Sequence, residues 1–133
     1  MIVGIGIDLV AVRRMRTLVE RHGDRARQRL FTVRELAECD QRADPGECLA
    51  ARFAAKEATL KALGTGKMPD TRWTDIEVVR NDDGCPELVL SGRVRAFADQ
   101  LGVRRALVSL THEKETAAAF VVLETGDSET SSP

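Results

Sequence analysis

The chain predicts an α+β fold in which antiparallel strands pack on one long central helix. Three stretches of its 133 residues carry that prediction. Ile2 to Val10 alternates as a strand, with Val3, Ile5, Ile7 and Leu9 on one face and Ile2, Gly4, Gly6 and Asp8 on the other. Arg52 to Gly66 is an alanine-rich run of good helix formers that ends in glycine. Leu107–Leu110 and Ala117–Leu123 are apolar strands around the polar turn Glu113-Lys114-Glu115, the pattern of an antiparallel hairpin.

Taken in order, the glycines of the first strand clear space on the face that carries Asp8, for a helix or a ligand. Asp8 itself suits either a functional site or the N-cap of the next helix. That helix turns Val12, Met15, Leu18 and Val19 to one side and Arg13, Arg14, Thr17 and Arg21 to the other, and Gly23 is expected to end it. Phe31 to Leu36 carries a capping box (Thr32, Glu35) and a hydrophobic staple (Phe31, Leu36), so a short helix starts there. Asp44-Pro45-Gly46-Glu47 then opens the central helix, with a capping carboxylate, proline at the first helical position and glutamate three residues on.

On the central helix Leu49, Phe53, Leu60 and Leu63 form an apolar stripe, and Ala51, Ala54, Ala55 and Ala58 let another backbone approach the opposite side. Lys56 falls inside the stripe, bordered by Arg52 and Glu57, with Lys61 one turn beyond Glu57. The plain expectation is that Lys56 snorkels to water and that Glu57–Lys61 is an i,i+4 surface pair. Past Gly66, a loop from Lys67 to Thr74 leads to a strand at Asp75–Val79, a turn at Asn81–Gly84 and a short strand at Leu88–Leu90. Ser91 caps a helix whose Val94, Phe97, Ala98 and Leu101 recur at helical spacing. His112 ends the first hairpin strand, on the face of Val108 and Leu110. The organisation is one domain, 1–123, followed by a polar tail, 124–133, expected to be disordered.

Composition narrows the classes. Hydrophobic content of 43% and charged content of 31% describe an ordinary soluble protein. No apolar run approaches the roughly 20 residues of a membrane span, and the start lacks the order of a signal peptide. Three cysteines, Cys39, Cys48 and Cys85, with no C-x-x-C spacing point to reduced cytosolic thiols rather than disulfides or zinc. Between Val10 and Leu30, seven arginines stand against Glu20 and Asp24, which implies an acidic partner. A nucleic-acid-binding module would use those arginines but has no use for Asp8 and Glu57 as a pair. A different magnesium-dependent nucleotide enzyme would use the carboxylates and leave the arginines unexplained.

Asp8, Glu57, Lys61 and His112 make a constellation of individually weak signals. Two hard carboxylates with room for phosphates are how magnesium is held when substrate supplies the other oxygens. Lys61 and the Gly64-Thr65-Gly66 backbone suit a phosphate, although a helix C-terminus is electrostatically the wrong end for one, and the glycines serve equally as a helix stop.

Gly6-Ile7-Asp8-Leu9-Val10, Arg52-Phe53-Ala54-Ala55-Lys56-Glu57-Ala58 with Lys61-Ala62 and Gly64-Thr65-Gly66, Trp73 to Val78, and Ser109-Leu110-Thr111-His112-Glu113 together closely resemble the holo-acyl-carrier-protein synthases, the small 4′-phosphopantetheinyl transferases. Gly84-Cys85-Pro86 before an apolar strand is similar too, and the resemblance spans Ile2 to about Leu123. It implies transfer of 4′-phosphopantetheine from coenzyme A to a serine of an acidic apo acyl carrier protein, in fatty-acid or polyketide synthesis in the cytoplasm. It implies Asp8 and Glu57 as ligands of Mg2+ (or Mn2+), Lys61 facing the pyrophosphate, and Glu57 or a metal-bound water taking the serine proton. Arg52, Lys61, Gly64, Thr65, Gly66, Pro86, Thr111 and His112 are then the coenzyme A contacts, and Arg13, Arg14 and Arg21 the carrier dock. A homotrimer with sites shared between subunits follows from the same resemblance, with neither nucleic acid nor membrane as partner.

Overall fold

The computed structural model describes residues 1–126, which run as β1 (Ile2–Ala11), α1 (Val12–Leu30), α2 (Val33–Asp40), α3 (Pro45–Leu63), β2 (Ile76–Arg80), β3 (Pro86–Leu90), α4 (Gly92–Gln100), β4 (Val103–His112) and β5 (Thr116–Thr125). The long strands form an antiparallel sheet in the order β1-β5-β4, and β2 and β3 form a second antiparallel pair. The α+β architecture around one central helix is therefore as the sequence predicts.

The signals at both ends of α3 act as expected, except that the Glu47 side chain turns to His112 instead of back to the Asp44 N–H. The Asp44 carboxylate accepts from the Glu47 N–H at 3.2 Å, Pro45 occupies the first turn, and Gly64 closes the helix in the left-handed region at φ 81°. Between those ends α3 lies against the inner face of the large sheet, where Val10, Ala117, Ala119, Val121 and Leu123 are buried. The glycines of β1 make this approach possible. A Cβ on Gly6 would stand 1.9 Å from the Ala58 carbonyl oxygen, and one on Gly4 2.0 Å from that of Ala62. The strand and the helix thus meet backbone to backbone, and α3 is buried on nearly every side.

The outer face of the same sheet is apolar and uncovered. Ile5, Ile7 and Leu9 are 60%, 59% and 67% exposed, so the alternation of β1 puts its branched residues outward and its glycines inward. Ile7 stands opposite Phe120, which pairs on its other side with Ser109, and Ile5 opposite Val122, which pairs with Leu107, so the patch continues across all three strands. This arrangement reverses the usual polarity of a half-buried strand.

Several expectations are corrected. Gly23 breaks α1 where the sequence expects its end, in a non-helical conformation (φ 57°, ψ −140°), and what the sequence did not show is the second helical stretch beyond the kink, which buries Ala26 and Leu30. β1 runs past Asp8 to Ala11, so Asp8 is not an N-cap. Ser91 stands at the start of α4, yet its hydroxyl turns to the Asp75 carbonyl rather than into the helix. Glu124 and Thr125, expected in the tail, belong to β5: Glu124 stands opposite Ile2, and Thr125 N–H donates to the Met1 carbonyl. The rest of the expected tail, 127–133, lies outside the described residues. Cys39 and Cys48 are joined as a disulfide, not reduced thiols, while Cys85 is free and exposed. Spacing could not show this pairing, because it depends on the turn that brings the end of α2 beside the start of α3.

Lys56 is the largest departure. It does not snorkel; it is fully buried, 2.8 Å from Glu35 Oε1, and also donates to the carbonyls of Trp73 (3.1 Å) and Ile76. Glu35 is itself fully buried, accepting from the Thr32 N–H at 3.0 Å and the Val78 N–H at 2.9 Å. Burial pulls the Lys56 ammonium below its ordinary value, and the Glu35 charge opposes that pull.

Candidate active site

Asp8 follows Gly6 by two residues on the inner face of β1 and so reaches the side of α3. Lys61, on the last full turn of α3, donates to Asp8 Oδ1 at 2.8 Å and to the Ile7 carbonyl at 3.0 Å. The i,i+4 pair with Glu57 is therefore not what holds Lys61. Glu57, half-buried one turn earlier, has its carboxyl pushed up to about 7. Burial is the main cause, followed by the closeness and charge of the Asp8 carboxylate, while Arg14 and Lys61 pull the other way. The Lys61 ammonium is raised by its contact with Asp8. The structure thus brings Asp8, Glu57 and Lys61 together, with Arg14 of α1 near enough for its charge to act on Glu57.

One atom in this cluster is unsatisfied. Asp8 Oδ2 is buried and has no hydrogen-bond partner, a costly arrangement for a carboxylate oxygen. A second carboxyl beside it and an orphaned oxygen are the donor set of a hard divalent cation. Among the described residues no group of three or more His, Cys, Asp and Glu side chains gathers. A cation at Asp8 and Glu57 would therefore complete its shell with water and substrate oxygens, the habit of magnesium. The residues fit the ion that the resemblance implies.

After Lys61, Gly64 and Gly66 both take positive φ and have open space where a Cβ would stand, so ligand atoms could approach this loop closely. Thr65 turns its hydroxyl to the Gly66 carbonyl at 2.8 Å.

The other expected contacts lie elsewhere in the chain. Thr111 and His112, at the end of β4, line a cleft of about 440 Å³ together with Arg42, Glu47, Cys48 and Arg80. His112 Nδ1 is 3.1 Å from Glu47 Oε1, so its partner is the start of α3 rather than the Asp8 cluster. Arg52 also borders the cleft, but its side chain is buried and committed: it donates to Glu38 Oε1 at 2.7 Å and to the Val78 carbonyl at 3.1 Å. Arg80 has a buried Nε without a partner, and burial, then Arg42 and Arg52, lower its affinity for a proton. Pro86 is half-buried, opposite Arg80 in the β2–β3 ladder. Sequence reasoning missed Arg42, Glu47 and Arg80, since Glu47 reads as a capping residue and the two arginines sit in unremarkable polar runs. Arg13, Arg14 and Arg21 are all exposed on α1, as expected. Arg16 differs, because it pairs with Asp44.

An α+β fold that holds a cation-ready carboxylate pair beside a lysine, with a separate arginine-lined cleft, defines a protein that handles a phosphorylated substrate. Residues 4–121 match the 4′-phosphopantetheinyl transferase superfamily, and the chain belongs to that family. It is 49% identical over 128 residues to the holo-[acyl-carrier-protein] synthase of Alkalilimnicola ehrlichii, covering 96% of this chain and all of that relative. The crystal structure of the holo-[acyl-carrier-protein] synthase of Neisseria meningitidis is similar at a TM-score of 0.86 and 36% identity, over 94% of this chain and all of that one. That of the Helicobacter pylori holo-[acyl-carrier-protein] synthase in complex with coenzyme A is similar at a TM-score of 0.80 and 28% identity, over 90% of this chain and 99% of that one.

Proposed function

We propose that this chain transfers the 4′-phosphopantetheinyl group of coenzyme A to a serine hydroxyl of an apo acyl carrier protein. The serine oxygen forms a bond to the β-phosphorus, the bond from that phosphorus to the bridging pyrophosphate oxygen breaks, and adenosine 3′,5′-bisphosphate leaves. The observation that carries this reading is the unpartnered Asp8 Oδ2 beside a Glu57 whose carboxyl lies near 7. Asp8 and Glu57 would hold a divalent cation, magnesium or manganese, which when bound supplies charge neutralisation for the pyrophosphate. Lys61 exchanges its contact with Asp8 for the pyrophosphate oxygens. Glu57, or a water beside it, accepts the serine proton. Little covalent help is needed, because phosphoryl transfer depends chiefly on positioning and charge.

Coenzyme A would place its pyrophosphate at Lys61 and the Gly64-Thr65-Gly66 loop. Its phosphorylated nucleotide would enter the cleft of Thr111 and His112, with Arg52 and Pro86 at its margin. Within one chain His112 pairs with Glu47, apart from Asp8 and Lys61, which supports a site completed by a second subunit. The uncovered face of Ile5, Ile7, Leu9, Leu107 and Phe120 supports the same reading, since an apolar patch of that extent marks an interface. The homotrimer implied by the sequence resemblance is the assembly we propose. No helix of the described residues is long and apolar enough to cross a membrane. Action on a freely diffusing carrier in the cytoplasm is the reading that the sequence resemblance implies.

The test is mass spectrometry of an apo acyl carrier protein mixed with this protein, coenzyme A and magnesium, where the carrier should gain one phosphopantetheine. Asp8→Ala and Glu57→Gln should each lower transfer by two or three orders of magnitude, on the order of 3 kcal/mol or more, with the fold intact by circular dichroism. Near-normal turnover by either variant in saturating magnesium would refute the site.

A further inference from the structure

Cys39 and Cys48, nine positions apart, stand at the two ends of the turn that joins α2 to α3, and a disulfide links them across it. Cys39 is fully buried, whereas Cys48 is half-buried and lines the cleft below His112. The closed loop carries Arg42 and Glu47, which line the same cleft, and Asp44, the N-cap of α3. The loop's other side-chain ties are Arg27 to Asp40, Arg16 to Asp44, and Glu47 to His112. Such solvent-facing ion pairs are individually weak, so the covalent link is the strongest restraint on the segment.

We propose that Cys39–Cys48 is a thiol–disulfide modification site that sets the affinity of this cleft for a phosphorylated nucleotide. The ligand's identity as coenzyme A rests on the function proposed above. A dithiol reductant supplies the electrons. Its thiolate attacks Sγ of Cys48, the half that borders the cleft, and Cys39 leaves as a thiolate and takes a proton. The reductant's second thiol then resolves the mixed disulfide, which frees Cys48 as a thiol and leaves the reductant oxidised. Two electrons and two protons pass to the protein.

Once open, the turn from Gln41 to Asp44 regains backbone freedom, and a ligand must order it again on binding. The oxidised form is therefore the tight-binding one. Linkage makes the effect reciprocal: bound ligand resists reduction by the same factor. Disulfides inside cells are typically transient or redox-sensing, which accords with a bond whose one half, Cys48, borders a binding cleft.

The experiment uses the full chain with and without excess dithiothreitol, with labelling by a thiol alkylator under denaturing conditions and mass spectrometry. Only Cys85 should label before reduction, and all three cysteines after it. Calorimetry with coenzyme A should give a Kd at least about fivefold weaker in the reduced form, with kcat at saturating coenzyme A within about twofold. Coenzyme A should shift the thiol–disulfide midpoint by the same fivefold, about 20 mV for a two-electron couple. The double variant Cys39→Ala/Cys48→Ala should bind as the reduced form and ignore the reductant, and Cys85→Ser should respond as the parent does. Labelling of all three cysteines without reductant, or equal Kd values in two verified redox states, overturns the switch and leaves the transferase function standing. Coenzyme A binding by neither state overturns both.

Discussion

Replacing Gly6 by alanine tests how the fold serves the site. The added Cβ would stand 1.9 Å from the Ala58 carbonyl oxygen, 2.8 Å from the Ala62 nitrogen and 2.9 Å from the Ala58 carbonyl carbon. All three are backbone atoms of α3, so no rotamer change relieves the clash, and strand and helix must part by about 1.5 Å to restore an ordinary contact. Overpacking of a core typically costs 1–3 kcal/mol, and a clash against main chain belongs at the upper end, about 3 kcal/mol. For a domain of this size that is a fall in Tm of about 12 °C. The chemistry should suffer as well. Asp8 lies two residues along the same face, so the retreat draws its carboxylate from Glu57 and Lys61. A misplacement of 1 Å can cost about a hundredfold in rate. The assay is thermal unfolding beside carrier modification by mass spectrometry. A variant that melts within about 2 °C of the parent and transfers at the parental rate would refute the claim that β1 and α3 meet backbone to backbone.

Further outcomes follow from other parts of the molecule. Arg14→Glu should raise the KM for an acyl carrier protein at least tenfold, about 1.4 kcal/mol, with added salt narrowing the gap, and should also push the Glu57 carboxyl further up, since Arg14 pulls it down. A normal KM at low salt would move the dock away from α1. Glu57, with its carboxyl raised to about 7 in the fold, stabilises the metal-free protein below the ordinary carboxylate range, and that contribution is lost as pH rises through about 7. Melting in chelator should therefore fall between about pH 5 and about pH 8 by a component that Glu57→Gln removes, and identical profiles would show that Glu57 is not perturbed. Lys56→Met should destabilise by about 3–5 kcal/mol, because it strips Glu35 of its counter-charge while both remain out of water's reach. Denaturant titration with an unchanged midpoint would remove the pair from the stabilising contacts.

What the sequence made legible and what it hid divide along a physical line. Caps and periodicities are local, and Asp44, Thr32 with Glu35, and Gly64 act where the chain order says they should. The Asp8–Glu57–Lys61 cluster was legible through the resemblance of its motifs rather than through spacing alone. By spacing Lys61 belongs to Glu57, and only the packing of β1 against α3 hands it to Asp8. Lys56 was misjudged for a related reason. A lysine on an apolar stripe snorkels when water is within reach, and here α2 and β2 close over it. The disulfide and the arginine cleft were hidden because they are assembled across turns, where sequence distance says nothing about approach.

The buried charges of α3 explain how a helix covered on nearly all sides is held at one rotation. Arg52 and Lys56 are one turn apart, about 6 Å along the helix. Arg52 donates to the Val78 carbonyl and Lys56 to that of Ile76, two residues apart and about 7 Å along an antiparallel-sheet strand. Their carboxylate partners, Glu38 and Glu35, stand three apart on α2. Helix and strand therefore share nearly one spacing, the acids on α2 stand about 4.5 Å apart along its axis, and the two cations form rungs that tie α3 to both neighbours in the observed register and rotation. Leucines at those positions would bury as well, yet they would let α3 slide or turn, since dispersion forces carry little direction. Glu57 follows Lys56 by about 100° of helical rotation. Fixing Lys56 on the Ile76 carbonyl thus fixes the direction in which Glu57 meets Asp8 at the other side of the helix. The cost of burying two charges is spent on orientation, and the carboxylate site inherits its geometry from this polar ladder.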